Sequence, residues 1–132
     1  VSADSVRIHR LREQDVAQGL PIEEAMKQLM RFIGSRPLVG YYLEFDVAML
    51  NRAIWPLLGQ GLPQPKIEVS GMYYDYKFRQ LPPHRQQGTP DIDLRFNTLM
   101  ADLQLPVREA HDALNDAVMA AMAFIKLRHL KA

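Results

Sequence analysis

An α/β layered domain is predicted by three features of the 132-residue sequence. Apolar residues recur at helical spacing in several long stretches. Two short β-prone runs, around Val39 and Ile67, fall between them. The resulting order is helix, strand, helix, strand, helix, helix, the alternation that layered α/β folds produce. Composition agrees, since 48% apolar and 23% charged residues are ordinary globular usage, and the length suffices for one core but not two.

The first twenty residues are polar with scattered Val6, Ile8, Leu11 and Val16, and they predict an irregular lead-in with at most one short helix. A clear helix opens at Pro21, whose missing N–H suits the first helical position. Ile22, Ala25, Met26, Leu29, Met30 and Ile33 follow at helical spacing, and Gly34 can close the helix in a left-handed cap. Leu38 to Tyr42 then reads as a brief buried strand. From Phe45 the helical period returns and runs to about Pro56, before Gly59, Gly61, Pro63 and Pro65 break the chain.

Lys66 to Ser70 alternates polar and apolar residues, as a second strand would. Tyr73 to Thr89 carries many polar groups and few aliphatics, and predicts irregular structure. Asp93 is placed to cap a helix carrying Leu94, Leu99 and Leu103, which Pro106 ends. The last element runs from about Asp112 to Leu130. Its apolar core, Ala117 to Ile125, predicts burial on most sides, with Lys126, Arg128 and Lys131 suited to the negative end of the helix dipole.

Several function classes are excluded early. Sixteen Lys and Arg against fifteen Asp and Glu give a net charge of +1, which is no basis for a strongly basic nucleic-acid wrap. The absence of cysteine rules out disulfides, thiolate-bound zinc and cysteine catalysis. The longest apolar run is nine residues, too short to span a bilayer. Val1-Ser2-Ala3-Asp4 has neither the basic nor the apolar region of a signal peptide. No membrane partner and a cytoplasmic location are the expectations.

Two stretches can carry chemistry. In Val39-Gly40-Tyr41-Tyr42-Leu43-Glu44-Phe45-Asp46 a carboxylate follows a strand and opens a helix. Asp46 there either caps the helix or serves a ligand at a strand end. In Ala110-His111-Asp112-Ala113-Leu114-Asn115-Asp116-Ala117, Asp112 can cap the final helix, with His111 on the loop before it and Asp116 one turn in. A carboxylate entering a buried helix calls for a cation or a donor. A third stretch, Tyr73 to Arg85, interleaves aromatic and basic residues, so that Lys77 and Arg79 either contact a phosphate backbone or belong to a solvated loop.

The first two stretches together resemble motifs two and three of the DEDD-type 3′–5′ exonucleases with a catalytic histidine, the family of the DNA polymerase III epsilon (proofreading) subunit. The second motif of that family reads roughly V-G-H-N-x-x-F-D, met here by Val39, Gly40, Phe45 and Asp46. The third reads H-x-A-x-x-D-A, met by His111, Ala113, Asp116 and Ala117. The resemblance implies a ribonuclease H-like domain in which four carboxylates hold two divalent metals, Mg²⁺ or Mn²⁺. It implies Asp46 and Asp116 as metal ligands and His111 as the general base. Such ions clamp the attacking and leaving oxygens of a phosphodiester displacement, and a histidine can accept the proton.

Two departures accompany it. Tyr41 and Tyr42 stand where the family has His-Asn, and they either stack on a nucleobase or pack in the strand. No D-x-E-x-T motif occurs in the chain, so two of the four carboxylates are unaccounted for. The resemblance therefore implies the C-terminal part of a single exonuclease-like domain, a mixed sheet lacking its first strands, that is inactive alone. The start at Val1 fits that expectation. The implied partners are the 3′ end of single-stranded DNA or RNA, a DNA polymerase subunit, and a second copy paired through an exposed sheet edge. A non-catalytic exonuclease-like interaction module and an oligoribonuclease-like RNA-trimming enzyme are the alternatives.

Overall fold

The computed structural model describes residues 19–108 and 112–130, so the expected lead-in over residues 1–18 and the loop histidine His111 lie outside the described residues. Helix α1 spans Ile22–Ile33, one residue later than Pro21, whose carbonyl instead accepts the Ala25 N–H at 2.9 Å. Gly34 ends it with φ 58° and ψ −129°. That is a positive-φ region which is open to glycine and nearly closed to other residues, rather than the left-handed helical cap expected.

Strand β1 (Leu38–Gly40), helix α2 (Leu43–Leu58) and strand β2 (Lys66–Glu68) form a β-α-β unit. The strands run parallel, with Leu38 opposite Lys66, Val39 opposite Ile67 and Gly40 opposite Glu68. Among the described residues this parallel pair is the whole sheet, as a partial fold would leave it. Both strands stop two residues short of the expected ends. At β1 the chain turns at Tyr42, which is held at φ 49° and ψ 48°. At β2 the Glu68 side chain accepts the Ser70 N–H at 3.0 Å and starts a helix.

Gly40 makes the first of these turns feasible. A Cβ there would come within 2.8 Å of Leu43 Cδ1 and 3.2 Å of Leu43 Cβ. The δ-methyl can swing away, but the Cβ can move only with the helix. Gly40→Ala is expected to cost about 1–3 kcal/mol by overpacking, read as a lower urea midpoint at unchanged slope.

Helix α3 (Val69–Gln80) replaces the irregular stretch expected from Tyr73 onward. Its apolar face is built from Val69, Met72, Tyr73 and Tyr76, at helical spacing, and tyrosines counted as polar hide that face in the sequence. Tyr73 is buried and its hydroxyl donates to Asp102 Oδ2 at 2.8 Å, which removes the cost of burying it. A short 3₁₀ turn at Pro83–Arg85 follows, then helix α4 (Phe96–Asp102) and helix α5 (Ala113–Leu130).

Asp93 does not cap α4 directly, since the helix opens at Arg95. Its carboxylate sits two residues earlier and accepts from the Arg95 N–H at 3.0 Å and from Thr98 Oγ1 at 2.8 Å, bracing the first turn from outside. Asp112 does cap α5, taking the Leu114 N–H at 3.0 Å.

The core lies where α3, α4 and α5 meet. Val69, Tyr73, Leu99, Met100, Leu103, Met119, Ala123 and Leu127 form one buried cluster, with Val39 and Tyr41 packed against it from β1 and the turn that follows. Helix α5 thus buries one stripe, Met119, Ala120, Ala123 and Leu127, and not most of its surface. Leu114 remains 70% exposed and Ile125 55%. The uninterrupted apolar run overstates burial because alanines at 117 and 121 are small enough to face solvent at little cost.

Candidate functional site

The elements that carry the motif residues meet around β1. Asp46 stands in the first turn of α2 and Asp116 in the first turn of α5, both exposed. A negative charge in a first turn faces the positive end of its helix dipole. Asp116, expected at the entry of a helix buried on most sides, is exposed because that side of α5 is open.

Neither carboxylate makes a hydrogen bond or an ion pair among the described residues, a state they share with the exposed Glu44, Asp75 and Asp91, whereas three other acids are engaged. Asp93 is committed to Arg95, through guanidinium contacts of 2.8–3.2 Å, and to Thr98. Those bonds, the Arg95 side chain foremost, hold its carboxyl far below the usual range. Asp102 accepts from Tyr73, whose bond lowers its pKa against the opposing effect of burial, and pairs with Lys77 at 3.2 Å. Asp112 is spent on the cap of α5.

The two motif-two tyrosines part company. Tyr41 turns inward, its ring 4.8 Å from that of Phe96 and its hydroxyl donating to the Leu94 carbonyl. Burial, and secondly the adjacent Tyr42, push its pKa up to about 12, so it remains a donor at any working pH. Tyr42 is 41% exposed and stands edge-on to Tyr41 at 4.5 Å, with the exposed Phe45 ring 6.5 Å away. One tyrosine packs, and the other offers a face to solvent.

Of the basic residues, Lys77 is half-exposed and paired with Asp102. Arg79 is exposed at the end of α3, beside a small hollow formed with Met72, Asp75, Tyr76 and Leu127. Arg108, the last described residue before position 109, is anchored to α5. Its Nε donates to Asn115 Oδ1 at 2.7 Å, next to Asp116.

Glu68, which no sequence motif marks, is the most heavily bonded carboxylate of this region. Its Oε2 accepts the Tyr42 N–H at 2.8 Å and its Oε1 the Leu43 N–H at 2.7 Å. Oε2 also accepts from the Ser70 N–H at 3.0 Å and from Ser70 Oγ at 2.5 Å. Burial pushes this carboxyl's pKa up, but the bonds from Ser70, Leu43 and Tyr42 outweigh it and hold the group below its ordinary value. The local signal was faint, for glutamate is not a favoured cap residue. An open groove of about 560 Å³ runs past Glu68, with Tyr42, Val47, Asn51 and Lys66 also on its walls.

Hard divalent cations ask for about six oxygen ligands. Among the described residues no three Asp, Glu or His side chains converge on a point where an ion could sit. Asp46 and Asp116 are chemically suited as oxygen ligands, yet two carboxylates on separate helices do not by themselves make a centre for a metal pair.

Comparison with known families assigns the chain as a whole. A family model described as Exonuclease, of the RNase T kind, matches residues 1–124. The chain belongs to this exonuclease family. The match bears out the ribonuclease H-like fold class and makes the chain's chemistry that of a phosphodiester hydrolase family, whose members typically use divalent metals. No curated protein matches the chain. Among the described residues of this exonuclease domain, no helix is long and apolar enough to cross a membrane.

Proposed function

We propose that this exonuclease domain takes part in 3′–5′ hydrolysis of single-stranded DNA or RNA, in the manner of the epsilon-like proofreading enzymes. Asp46 and Asp116 would supply oxygen ligands to divalent Mg²⁺ or Mn²⁺, whose chemistry when bound would be to polarise the scissile phosphate. His111 accepts the proton of the attacking water. The observation that carries the reading is placement within an exonuclease-family chain. The two motif aspartates stand exposed in the first turns of α2, which follows β1, and of α5, which packs against it.

Tyr42 provides a stacking face for a base of the single strand, and Arg79 a cation for its phosphates. Lys77, partly neutralised by Asp102, contributes less to the backbone contact. With two of the expected four carboxylates in the sequence, the 132-residue chain turns over slowly or not at all.

The test pairs binding with cleavage. Fluorescence anisotropy on a labelled single strand is expected to show about tenfold weaker binding for Tyr42→Ala, the loss of one stacked base. Arg79→Ala should reduce the salt dependence by close to one phosphate contact. In a 5′-labelled strand with Mn²⁺, any shortening should proceed as a ladder from the 3′ end. Robust shortening that survives Asp116→Asn would overturn the assignment of the site. Robust shortening abolished by Asp116→Asn would uphold the site and refute the slow-turnover expectation.

A second reading, a non-catalytic interaction module, draws on the apolar side chains that α2 leaves exposed, Phe45, Met49 and Trp55. Light scattering addresses it, and a strict monomer with no binding to single strands would weaken both readings.

A further inference from the structure

We infer that Glu68 is the positioning residue of the site, a single carboxylate that closes the N-termini of both α2 and α3 and thereby sets where Asp46 stands. Its bearing on catalysis rests on the exonuclease reading above, but its geometry does not.

The argument begins with register. Parallel pairing places Glu68 directly opposite Gly40, the last residues of their strands. Beyond Gly40 the chain must reverse into α2, and Tyr42 adopts a left-handed backbone to do so. For a tyrosine that conformation is unfavourable, so something outside the turn has to hold it. The turn also leaves backbone donors unpaired, as every helix start does. Tyr42 has no side-chain cap of its own.

Glu68 meets both needs. Its two oxygens each take one of the adjacent N–H groups of Tyr42 and Leu43, at 2.8 and 2.7 Å, a fork that requires an ionised carboxylate with both oxygens accepting. The Oε2 atom also closes α3 through Ser70 N and Oγ. One negative group thus stands at the positive ends of two helices. Asp46 lies three residues beyond Leu43, within the first turn that this fork anchors. Freed of the fork, that turn would fray, and the Asp46 carboxylate would lose its fixed origin relative to β1. Glutamine cannot replace it, because one end of the amide would present N–H groups to an N–H donor. The other ionisable groups facing Glu68 are Tyr41, with Tyr42, Lys66 and Glu44 along the groove.

Nuclear magnetic resonance of the whole 132-residue chain tests the inference without relying on activity. On acidification of the unmodified protein, the Tyr42, Leu43 and Ser70 amide protons should shift together, with one midpoint below the ordinary glutamate range. In Glu68→Gln, amide exchange over the first turn of α2 should accelerate about five- to tenfold, the loss expected of a cap, while exchange at Met119 to Leu127 stays the same. Ser70→Ala should leave the Tyr42 and Leu43 signals in place. Where the chain shows residual shortening, Glu68→Gln should lower its rate at unchanged affinity for the strand.

Independent titration of the three amides, or unaltered exchange in a folded Glu68→Gln, would overturn the inference. If the amide signature holds while Asp46→Asn leaves shortening unaffected, the exonuclease reading fails and the clamp stands. If Asp46→Asn abolishes shortening while Glu68→Gln leaves its rate unchanged, the positioning role fails and the exonuclease reading stands.

Discussion

Replacing either Asp46 or Asp116 by Asn is expected to cut any Mn²⁺-dependent shortening of a single strand by about a hundredfold or more, while leaving the protein as stable as before. The first half follows from charge. A carboxylate that holds a metal ion in a phosphodiester displacement supports several kcal/mol of transition-state stabilisation, and each 1.4 kcal/mol is about a factor of ten. Asparagine keeps the shape and loses the negative charge. The second half follows from the surroundings. Both side chains are exposed and make no hydrogen bond or ion pair among the described residues, so stability should move by no more than about 0.5 kcal/mol. Single-turnover assays on a 5′-labelled strand, read beside thermal melts, separate the two halves. A large loss of stability in either variant would mean that the aspartate is a structural cap.

Leu99→Ala should have the opposite signature. Leu99 is fully buried in α4, in the cluster formed with Val69 and Tyr73 of α3 and with Met119, Ala123 and Leu127 of α5. Removing its branched end takes away apolar burial and leaves a cavity that the surrounding helices fill only in part. The expected cost is about 3 kcal/mol, within the range seen for such truncations. Against a total stability of about 5–15 kcal/mol for a domain of ordinary size, that is a large share. The folded-to-unfolded ratio would drop by a factor on the order of a hundred. Urea unfolding followed by circular dichroism measures it directly. A cost below about 1 kcal/mol would mean that α3, α4 and α5 close around the gap and that their packing is looser than the buried cluster suggests.

Helices α1, α2, α4 and α5 and both strands were legible to within a few residues because each announces itself locally, by a 3.6-residue period or by a short β-prone run. Helix α3 was not legible. Its apolar face is made of tyrosines and one methionine besides Val69, and a tyrosine declares itself apolar only when its hydroxyl finds a partner, as Tyr73 does in Asp102. The degree of burial of α5 was misjudged for a related reason. Run length says nothing about which faces of a helix have neighbours, and alanines fit either environment.

The candidate site divides along the same line. Family, fold class and the places of Asp46 and Asp116 depend on residue identity at fixed local spacing, and the sequence by itself determined them. Which carboxylates are engaged and which remain open depends on partners far along the chain. Glu68 reaches Tyr42 across 26 positions, and Tyr41 reaches Leu94 across 53. Only the parallel register and the docking of α4 beside the motif-two turn bring those groups within hydrogen-bond range. A hydrogen bond exists or fails over a few tenths of an ångström. No one-dimensional pattern carries that precision, and so the tertiary structure alone decided that one tyrosine packs, that its neighbour faces solvent, and that Glu68 holds the turn between them and α2.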